Sequence, residues 1–281
     1  MSKLLRVAAL QMTSGTDVGA NLAQAIELVN EAAHQGARYI QLPEYASFWG
    51  PASRYREGAQ GLDGPFLTAM ADVAEELALT VHVGSVLEAR GGGRYANTSV
   101  VIGPRGTRAL YRKMHLFDVD VPNGVTFHES QHIDPGDELV TVQTAETTLG
   151  LSVCFDLRFP ELFRALALAD ASVLCVPSAF SAATGPPHWE ILLRARAIEN
   201  GAFVVAGAQV GTTSEGLATH GHSMIIDPWG EVLAQATSEG AEVVVADCVL
   251  DSSAERRHQI NTLGLRRPTL YAGAVRRYDL S

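Results

Sequence analysis

The sequence has few cysteines, a deficit of basic side chains and no long apolar run. Its three cysteines, Cys154, Cys175 and Cys248, form no CxxC motif, and any disulfide leaves one unpaired, which favours a reducing compartment. Lys and Arg total 21 against 31 Asp and Glu, a net charge of -10, so neither a nucleic acid nor an anionic membrane is an expected partner. No apolar run reaches the roughly 18 residues that span a bilayer, and the first residues have no secretory h-region. We therefore expect a cytoplasmic protein.

The apolar content is sufficient for a large core. Hydrophobic residues make up 47% and charged residues 19% of the 281 residues, which is typical of a folded protein and not of a disordered one. No linker-like or low-complexity segment divides the chain. We therefore expect one domain over residues 1–281.

Apolar periodicity and turn-forming residues predict the same order of elements twice. The first half has a strand at 4–12, a helix at 21–35, a strand at 39–42, a helix at 65–79 and strands at 80–87, 97–102 and 107–111. After an irregular segment at 114–138, the second half has a strand at 148–153, a helix at 160–169, a strand at 172–176, a helix at 188–200 and strands at 202–208, 221–226 and 232–235. A strand at 243–249 and a helix at 252–261 follow. Two β-α-β-α-β-β-β halves that bury their sheets face to face give an α/β fold, a four-layer α-β-β-α sandwich.

Cys154 follows the apolar run at 149–153 and precedes a helix start at Pro160. Unpaired N–H groups at such a strand-to-helix junction favour a thiolate over a thiol. A buried core cysteine is the alternative, since free cysteine is among the most buried residue types. Cys175 and Cys248 lie within predicted strands and are interpreted as core residues.

Two charged residues of the first half also follow predicted strands. Glu44 comes after the strand at 39–42, where partial desolvation suits a general base. Lys113 comes after the strand at 107–111 among aromatic and aliphatic neighbours, where a buried cation supports an oxyanion. Taken singly, a residue of either type in such a place is more often solvated at the surface.

The run HESQH at 128–132 matches the HExxH pattern of zinc peptidases. That chemistry requires His128 and His132 on one helical face, with Glu129 between them. The turn formers at 121–124 and 134–136 leave no room for such a helix. A zinc peptidase is therefore a distant alternative, and Glu129 is interpreted as a carboxylate in a turn-rich segment that lines a site.

His188 opens the predicted helix at 188–200. A Cys154–His188 pair of the papain type is one interpretation, and a first-turn histidine that packs against its own helix is the other. Further along the same helix, Arg196 and Glu199 have the i,i+3 spacing of an ion pair.

The residues around Glu44, Lys113 and Cys154 resemble the motifs of the nitrilase, or carbon–nitrogen hydrolase, superfamily. The three matching runs, in the order of the family, are LPE at 42–44, YRKMHL at 111–116 and CFDLRFPE at 154–161. The resemblance covers nearly the whole chain and implies the α-β-β-α sandwich, a Glu-Lys-Cys triad with no metal or organic cofactor, and a homodimer or larger homo-oligomer. It also implies that Glu129 is a second glutamate that holds the lysine in place.

The nearest likeness is to the branch of deaminated glutathione amidases, with omega-amidases close behind. It implies hydrolysis of a small carboxylate-bearing amide to acid and ammonia through a thioester on Cys154. Glu44 is the expected general base and acid, while Lys113 and the backbone N–H of Phe155 stabilise the oxyanion. The candidate substrate contacts are Tyr45, Arg158, Phe180 and His188.

The acyl group stays open, because no motif fixes the arginine that holds the substrate carboxylate. The alternatives are omega-amidase activity on 2-oxoglutaramate or 2-oxosuccinamate, and hydrolysis of N-carbamoyl amines or nitriles. A non-catalytic binding protein with the same fold is a further alternative, which the presence of all three triad residues argues against.

Overall fold

The computed structural model describes residues 3–120, 126–214 and 216–278 and contains two large β-sheets with helices outside them. The strands are β1 (Leu4–Met12), β2 (Tyr39–Gln41), β3 (Thr80–Gly91), β4 (Arg94–Ile102), β5 (Arg108–Arg112), β6 (Asp118–Asp120), β7 (Thr126–His128), β8 (Thr141–Gln143), β9 (Thr148–Leu151), β10 (Val173–Cys175), β11 (Phe203–Ala206), β12 (Ala208–Thr212), β13 (Ala218–His220), β14 (Met224–Ile226), β15 (Val232–Gln235) and β16 (Glu242–Val249). The α-helices are α1 (Val18–His34), α2 (Tyr55–Gly58), α3 (Pro65–Glu76), α4 (Pro160–Leu168), α5 (Gly185–Asn200), α6 (Asp251–Gln259) and α7 (Pro268–Tyr271).

The larger sheet has the order β13-β12-β1-β2-β3-β4-β5, and β16 also pairs with β1. β1, β2 and β3 are parallel, so their carboxyl ends lie at one edge of the sheet. Val7 and Ala9 belong to the core between the two sheets, whereas Ala8 and Leu10 pack in the core beneath α1 and α3. Because both faces are covered, β1 is apolar almost throughout.

The smaller sheet has the order β15-β14-β11-β10-β9-β8, with β9, β10 and β11 parallel. Phe163 of α4 and Trp189 and Leu193 of α5 are buried against this sheet. The orders β1-β2-β3-β4-β5 and β9-β10-β11-β14-β15 correspond strand for strand. The repeated order of elements and the four-layer sandwich are thereby confirmed.

One predicted strand, at 202–208, is two strands in different sheets. β11 ends at Ala206 in the smaller sheet and β12 begins at Ala208 in the larger one, so the chain crosses between the sheets at Gly207. A Cβ at Gly207 would lie 2.9 Å from the carbonyl oxygen of Gln41 and 3.0 Å from that of Leu10, which leaves no room for a side chain. Local periodicity predicts a continuous strand here, because it carries no information about which sheet a residue joins.

Other differences from the predicted elements are local. Helix α1 begins at Val18 and not at residue 21, because Asp17 caps it by accepting a hydrogen bond from the Ala20 N–H at 3.0 Å. The segment at 114–138 contains the β6–β7 ribbon and a 3₁₀-helix at Glu129–Gln131, and β8 was not predicted. The turn formers at 121–124 lie outside the described residues. Among the helices that the structure describes, none is long and apolar enough to cross a membrane.

Candidate active site

Glu44, Lys113 and Cys154 lie together, each just after a strand. Glu44 follows β2, Lys113 follows β5 and Cys154 follows β9, so the two sheets supply the three residues jointly. Lys113 Nζ is 2.9 Å from Glu44 Oε1, and the Cys154 thiol interacts with the Glu44 carboxylate. All three side chains are buried and line a cavity of about 410 Å³.

Both oxygens of the Glu44 carboxylate accept hydrogen bonds. Oε1 accepts from Lys113 and from Asn97 Nδ2 at 2.8 Å, and Oε2 accepts from the Ala179 N–H at 2.7 Å. The next residue, Tyr45, has a left-handed φ of 55° and donates its N–H to Ser85 Oγ at 2.8 Å. These bonds fix the position of a carboxylate that is almost fully buried.

Lys113 is held between two carboxylates. Its Nζ donates to Glu44 Oε1 and to Glu129 Oε2, both at 2.9 Å. Burial lowers the pKa of Lys113, but the charges of Glu129 and Glu44 outweigh burial and hold that pKa well above its ordinary value. The charged, ammonium form of the side chain is therefore favoured although it is buried.

Each oxygen of the Glu129 carboxylate accepts two hydrogen bonds. Its Oε1 accepts from the Tyr45 hydroxyl at 2.8 Å and from Asn97 Nδ2 at 3.1 Å, and its Oε2 accepts from the Phe117 N–H at 2.7 Å as well as from Lys113. Burial raises the pKa of Glu129, but the Lys113 charge and these donors bring it below the ordinary value, so it is ionised. Tyr45 lines the cavity as predicted for a substrate contact, yet its hydroxyl is already used by Glu129.

Cys154 opens a 3₁₀-helix (Cys154–Arg158) with an uncommon backbone conformation. Its φ is 49°, in the left-handed region, and its N–H donates to the Pro177 carbonyl at 2.9 Å. Its side chain is only 8% exposed. Burial first, and the Glu44 charge second, raise the pKa of Cys154 well above its ordinary value, although Lys113 opposes them. The predicted preference for a thiolate is therefore wrong for the free protein: burial and the neighbouring carboxylate outweigh the helix N–H groups.

Of the other predicted site residues, three line the cavity and His188 does not. Phe155, Arg158 and Phe180 line it, and the Arg158 guanidinium carbon lies 5.8 Å from the Phe155 ring centre and 5.2 Å from that of Phe180. His188 is exposed on α5, and its Nδ1 is 3.3 Å from Arg158 Nη1. The structure does not support the papain-type pair, because His188 does not line the cavity and the Cys154 thiol interacts with the Glu44 carboxylate. The predicted Arg196–Glu199 ion pair is present, at 2.9 Å.

The HExxH pattern does not form a zinc-peptidase site. His128 ends β7 and His132 follows a 3₁₀-helix, so the two imidazoles do not share one helical face. His128 Nε2 lies 3.4 Å from Asp120 Oδ1, and the His132 ring packs edge-on against Tyr55. Because the Glu129 carboxylate is held by Lys113, the zinc interpretation is wrong.

The sequence did not identify Asn97, the Ala179 N–H or the aromatic residues Trp49, Phe117 and Phe127 as parts of the site. Asn97 begins a predicted strand, where a polar residue indicates only the strand's start. Trp49, Phe117 and Phe127 line both this cavity and a neighbouring space. These aromatic residues carry no sequence pattern that distinguishes a cavity wall from a core.

Comparison with known proteins places these features in a family. The model of the family described as carbon-nitrogen hydrolase matches residues 6–258. Omega-amidase NIT2 of Homo sapiens is 38% identical over 268 residues, covering 95% of this chain and 96% of that protein. Deaminated glutathione amidase of Synechocystis is 41% identical over 261 residues, covering 91% and 96%.

Solved structures agree with the architecture. The C. elegans NitFhit protein superposes with a TM-score of 0.90 at 33% identity, covering 96% of this chain and 67% of that one. Saccharomyces cerevisiae Nit3 superposes with a TM-score of 0.83 at 27% identity, covering 92% and 95%. The chain belongs to the carbon–nitrogen hydrolase family and is a hydrolase of carbon–nitrogen bonds other than peptide bonds.

Proposed function

We propose that this protein is a thiol-dependent amidase in which Cys154 is the nucleophile, Glu44 carries the proton and Lys113 stabilises the oxyanion. The main observation behind the proposal is the position of the Glu44 carboxylate, which contacts both the Cys154 thiol and the Lys113 ammonium. A thiol kept neutral by burial needs a base within hydrogen-bond reach, and Glu44 is that base. Glu129 acts through Lys113 and is a positioning residue.

In the first half of the reaction, Glu44 takes the S–H proton while the sulfur of Cys154 attacks the amide carbon. An ammonium has three N–H donors; Glu44 and Glu129 accept two of those of Lys113, and the third serves the oxyanion. The N–H of Phe155 is the second donor, since the first N–H groups of a helix have no partner within it. Glu44 then protonates the nitrogen, the C–N bond breaks, and ammonia or an amine leaves a thioester on Cys154.

In the second half, a water molecule gives a proton to Glu44 and its oxygen attacks the thioester carbon. The same two donors hold the oxyanion. The C–S bond then breaks, the carboxylic acid leaves, and Glu44 returns the proton to the sulfur of Cys154. The sum is amide plus water giving acid plus ammonia or amine, with the enzyme restored.

We infer that the substrate is a small amide that carries a carboxylate, of the deaminated glutathione type. Besides Lys113, the cation among the described residues that line this cavity is Arg158, and its side chain is half-buried between two aromatic rings. Such a guanidinium binds a carboxylate through charge-assisted hydrogen bonds. The neighbouring space, which shares Trp49 and Phe127 with this cavity, leaves room for a substituent longer than a primary amide.

Omega-amidase activity on 2-oxoglutaramate or 2-oxosuccinamate is the second candidate. Arg158 and the Glu44, Lys113 and Cys154 side chains line the same cavity, which suits a short dicarboxylic monoamide with its far carboxylate on Arg158. The similarity to the human omega-amidase supports this candidate, as the Synechocystis enzyme supports the first.

We further propose that residues 1–281 form one carbon–nitrogen hydrolase domain that works in the cytoplasm as a homodimer or larger homo-oligomer. Both halves contribute to one cavity, which supports a single domain. The three cysteines are free thiols, which suits a reducing compartment. Large apolar side chains near the end of the chain, such as Leu265 and Val275, are exposed and available to a second copy.

A substrate panel tests the proposal. The purified protein is incubated with deaminated glutathione, 2-oxoglutaramate, 2-oxosuccinamate, an N-carbamoyl amino acid and a nitrile, and both ammonia and carboxylic acid are measured, because a substituted amide releases an amine. We expect turnover of carboxylate-bearing amides above all others. Turnover of the nitrile or the carbamoyl compound alone would contradict the amidase assignment.

Replacing Arg158 tests the proposed carboxylate contact. We expect Arg158→Met to raise KM for carboxylate-bearing amides by about 10- to 100-fold, because a hydrogen bond to a charged group contributes about 1.5–3 kcal/mol. The KM for a neutral amide of similar size should change little. The matched control is Arg194→Met, which removes an exposed arginine paired with Glu190 on α5. Equal losses for charged and neutral amides would show that Arg158 does not bind the carboxylate.

A further inference from the structure

Asp156 lies two residues after Cys154, and its carboxylate is fully buried. Its Oδ2 accepts a hydrogen bond from the Val153 N–H at 2.8 Å, and its own N–H donates to the Val153 carbonyl at 3.1 Å. These two bonds close the turn on both sides of Cys154. They hold the nucleophile at its left-handed φ, a conformation that persists only where the surrounding structure enforces it.

The same carboxylate also binds the segment that carries Lys113. Oδ2 accepts from the Tyr111 hydroxyl at 2.7 Å, and Oδ1 accepts from the His115 N–H at 3.0 Å and lies 2.7 Å from His115 Nδ1. Tyr111 and His115 are the residues two before and two after Lys113. The Tyr111 hydroxyl in turn accepts from the Met114 N–H at 3.2 Å, so the whole lysine turn is tied to one acid.

We propose that Asp156 is a positioning residue that fixes the Cys154 turn of the smaller sheet against the Lys113 turn of the larger sheet. The two turns belong to different halves of the chain, and Asp156 joins them by hydrogen bonds from its one carboxylate to both. The inference rests on the proposed function, because it states that Asp156 fixes the distance between the nucleophile and the cation that stabilises the oxyanion. It adds a residue that touches neither substrate nor any of the three catalytic side chains.

The chemistry of the donors explains why an acid is required. Four donors converge on the two oxygens of Asp156, and an amide in its place presents one oxygen and one NH₂ group. Burial, and then the Asp156 charge, raise the pKa of Tyr111 far above its ordinary value, so Tyr111 remains a neutral donor. In Asp156→Asn, the side-chain NH₂ group therefore faces either the Val153 N–H or the His115 N–H. Two donors cannot form a hydrogen bond with each other, so one of the two turns loosens.

The test compares Asp156→Asn, Tyr111→Phe and the double variant with the wild type, using the amide that the wild type hydrolyses. We expect Asp156→Asn to lower kcat by about 10- to 100-fold per folded molecule with KM changed less than about threefold, since a misplacement of about 1 Å has effects of this size. Tyr111→Phe should have a smaller effect in the same direction. The double variant should be slower than Asp156→Asn by less than the factor that Tyr111→Phe causes alone, because the two changes share the Tyr111–Asp156 hydrogen bond.

Alkylation of Cys154 by iodoacetamide gives a readout that is independent of substrate, and it should slow in parallel with kcat. If no amide is hydrolysed by the wild type, the proposed function fails while the alkylation rates still test the link. The matched control is Asp227→Asn, since Asp227 caps the Trp229 and Glu231 N–H groups in a turn that does not line the cavity. A lower melting temperature with kcat and alkylation within about twofold of wild type, or effects of Asp156→Asn and Tyr111→Phe that simply multiply, would overturn the proposal.

Discussion

Cys154→Ala should lower the rate of amide hydrolysis by at least about 10⁴-fold, because removing a nucleophile abolishes the covalent route. The fold should survive, since the change removes one sulfur atom from a side chain that faces the cavity. Alanine has the same backbone freedom as cysteine, so the left-handed turn at residue 154 keeps its geometry and its hydrogen bond to Pro177. The measurement is the initial rate of acid formation, together with the melting temperature.

The other two cysteines supply the control. Burial raises the pKa of Cys175 and that of Cys248 to about 12, and neither thiol lines the cavity. Cys248→Ala should therefore retain the wild-type rate per folded molecule, even where some stability is lost from the core. Iodoacetamide should label only Cys154 in the folded protein, as read from intact mass, and hydrolysis by Cys154→Ala at the rate of Cys248→Ala would refute the assigned nucleophile.

Lys113→Met has the second largest expected effect, and it acts on activity and stability together. We expect a loss of activity of about 10³-fold, of the size seen when an oxyanion donor is removed. The free energy of unfolding at pH 7 should fall by about 3–5 kcal/mol, because Glu44 and Glu129 remain as buried carboxylates without their cation. Initial rates and denaturant unfolding measure the two effects separately.

The pH dependence of unfolding gives Lys113→Met a distinct signature. In the wild type the pKa of Glu129 lies below its unfolded value, so its contribution to stability is present above the ordinary carboxyl range and is lost as pH falls. Without the cation, burial raises the pKa of Glu129, so the sign reverses and stability is lost as pH rises. We therefore expect Lys113→Met to be more stable near pH 5 than near pH 8.

A neighbouring cation and a second substitution make this test specific. Arg112→Met removes the guanidinium that binds Glu88 and leaves the cavity intact, so the rate per folded molecule should be retained. Adding Glu129→Gln to Lys113→Met should recover part of the lost stability and none of the activity. An active Lys113→Met enzyme, or one whose stability rises with pH as the wild type's does, would contradict the role given to Lys113.

The sequence was sufficient to predict the sandwich, because strand and helix periods repeat in the two halves. Glu44, Lys113 and Cys154 were each a weak signal by themselves, and the resemblance of their flanking runs to the family motifs singled them out. The predicted thiolate was wrong because the pKa of Cys154 depends first on burial and then on Glu44, more than one hundred residues away in the chain.

The rest of the site and of the fold depends on contacts between residues that are far apart in the sequence. Asn97 bridges Glu44 and Glu129 only because β4 lies where the larger sheet places it. The change of sheet at Gly207 and the unpredicted strand β8 likewise depend on neighbours that no sequence window contains. Residues that position others are therefore less visible in the sequence than residues that react.

The pairing of β16 with β1 has a consequence for how the protein matures. Leu4 lies opposite Val249 and Gln11 opposite Glu242, so β1 is synthesised long before the strand that pairs with it. Contacts of such long sequence separation form slowly, because the intervening chain must be ordered before they are gained. Until residue 249 has been synthesised, the part of β1 that pairs with β16 remains an open strand edge. Such an edge is a site for aggregation. The larger sheet can therefore be completed only after β16 has been synthesised.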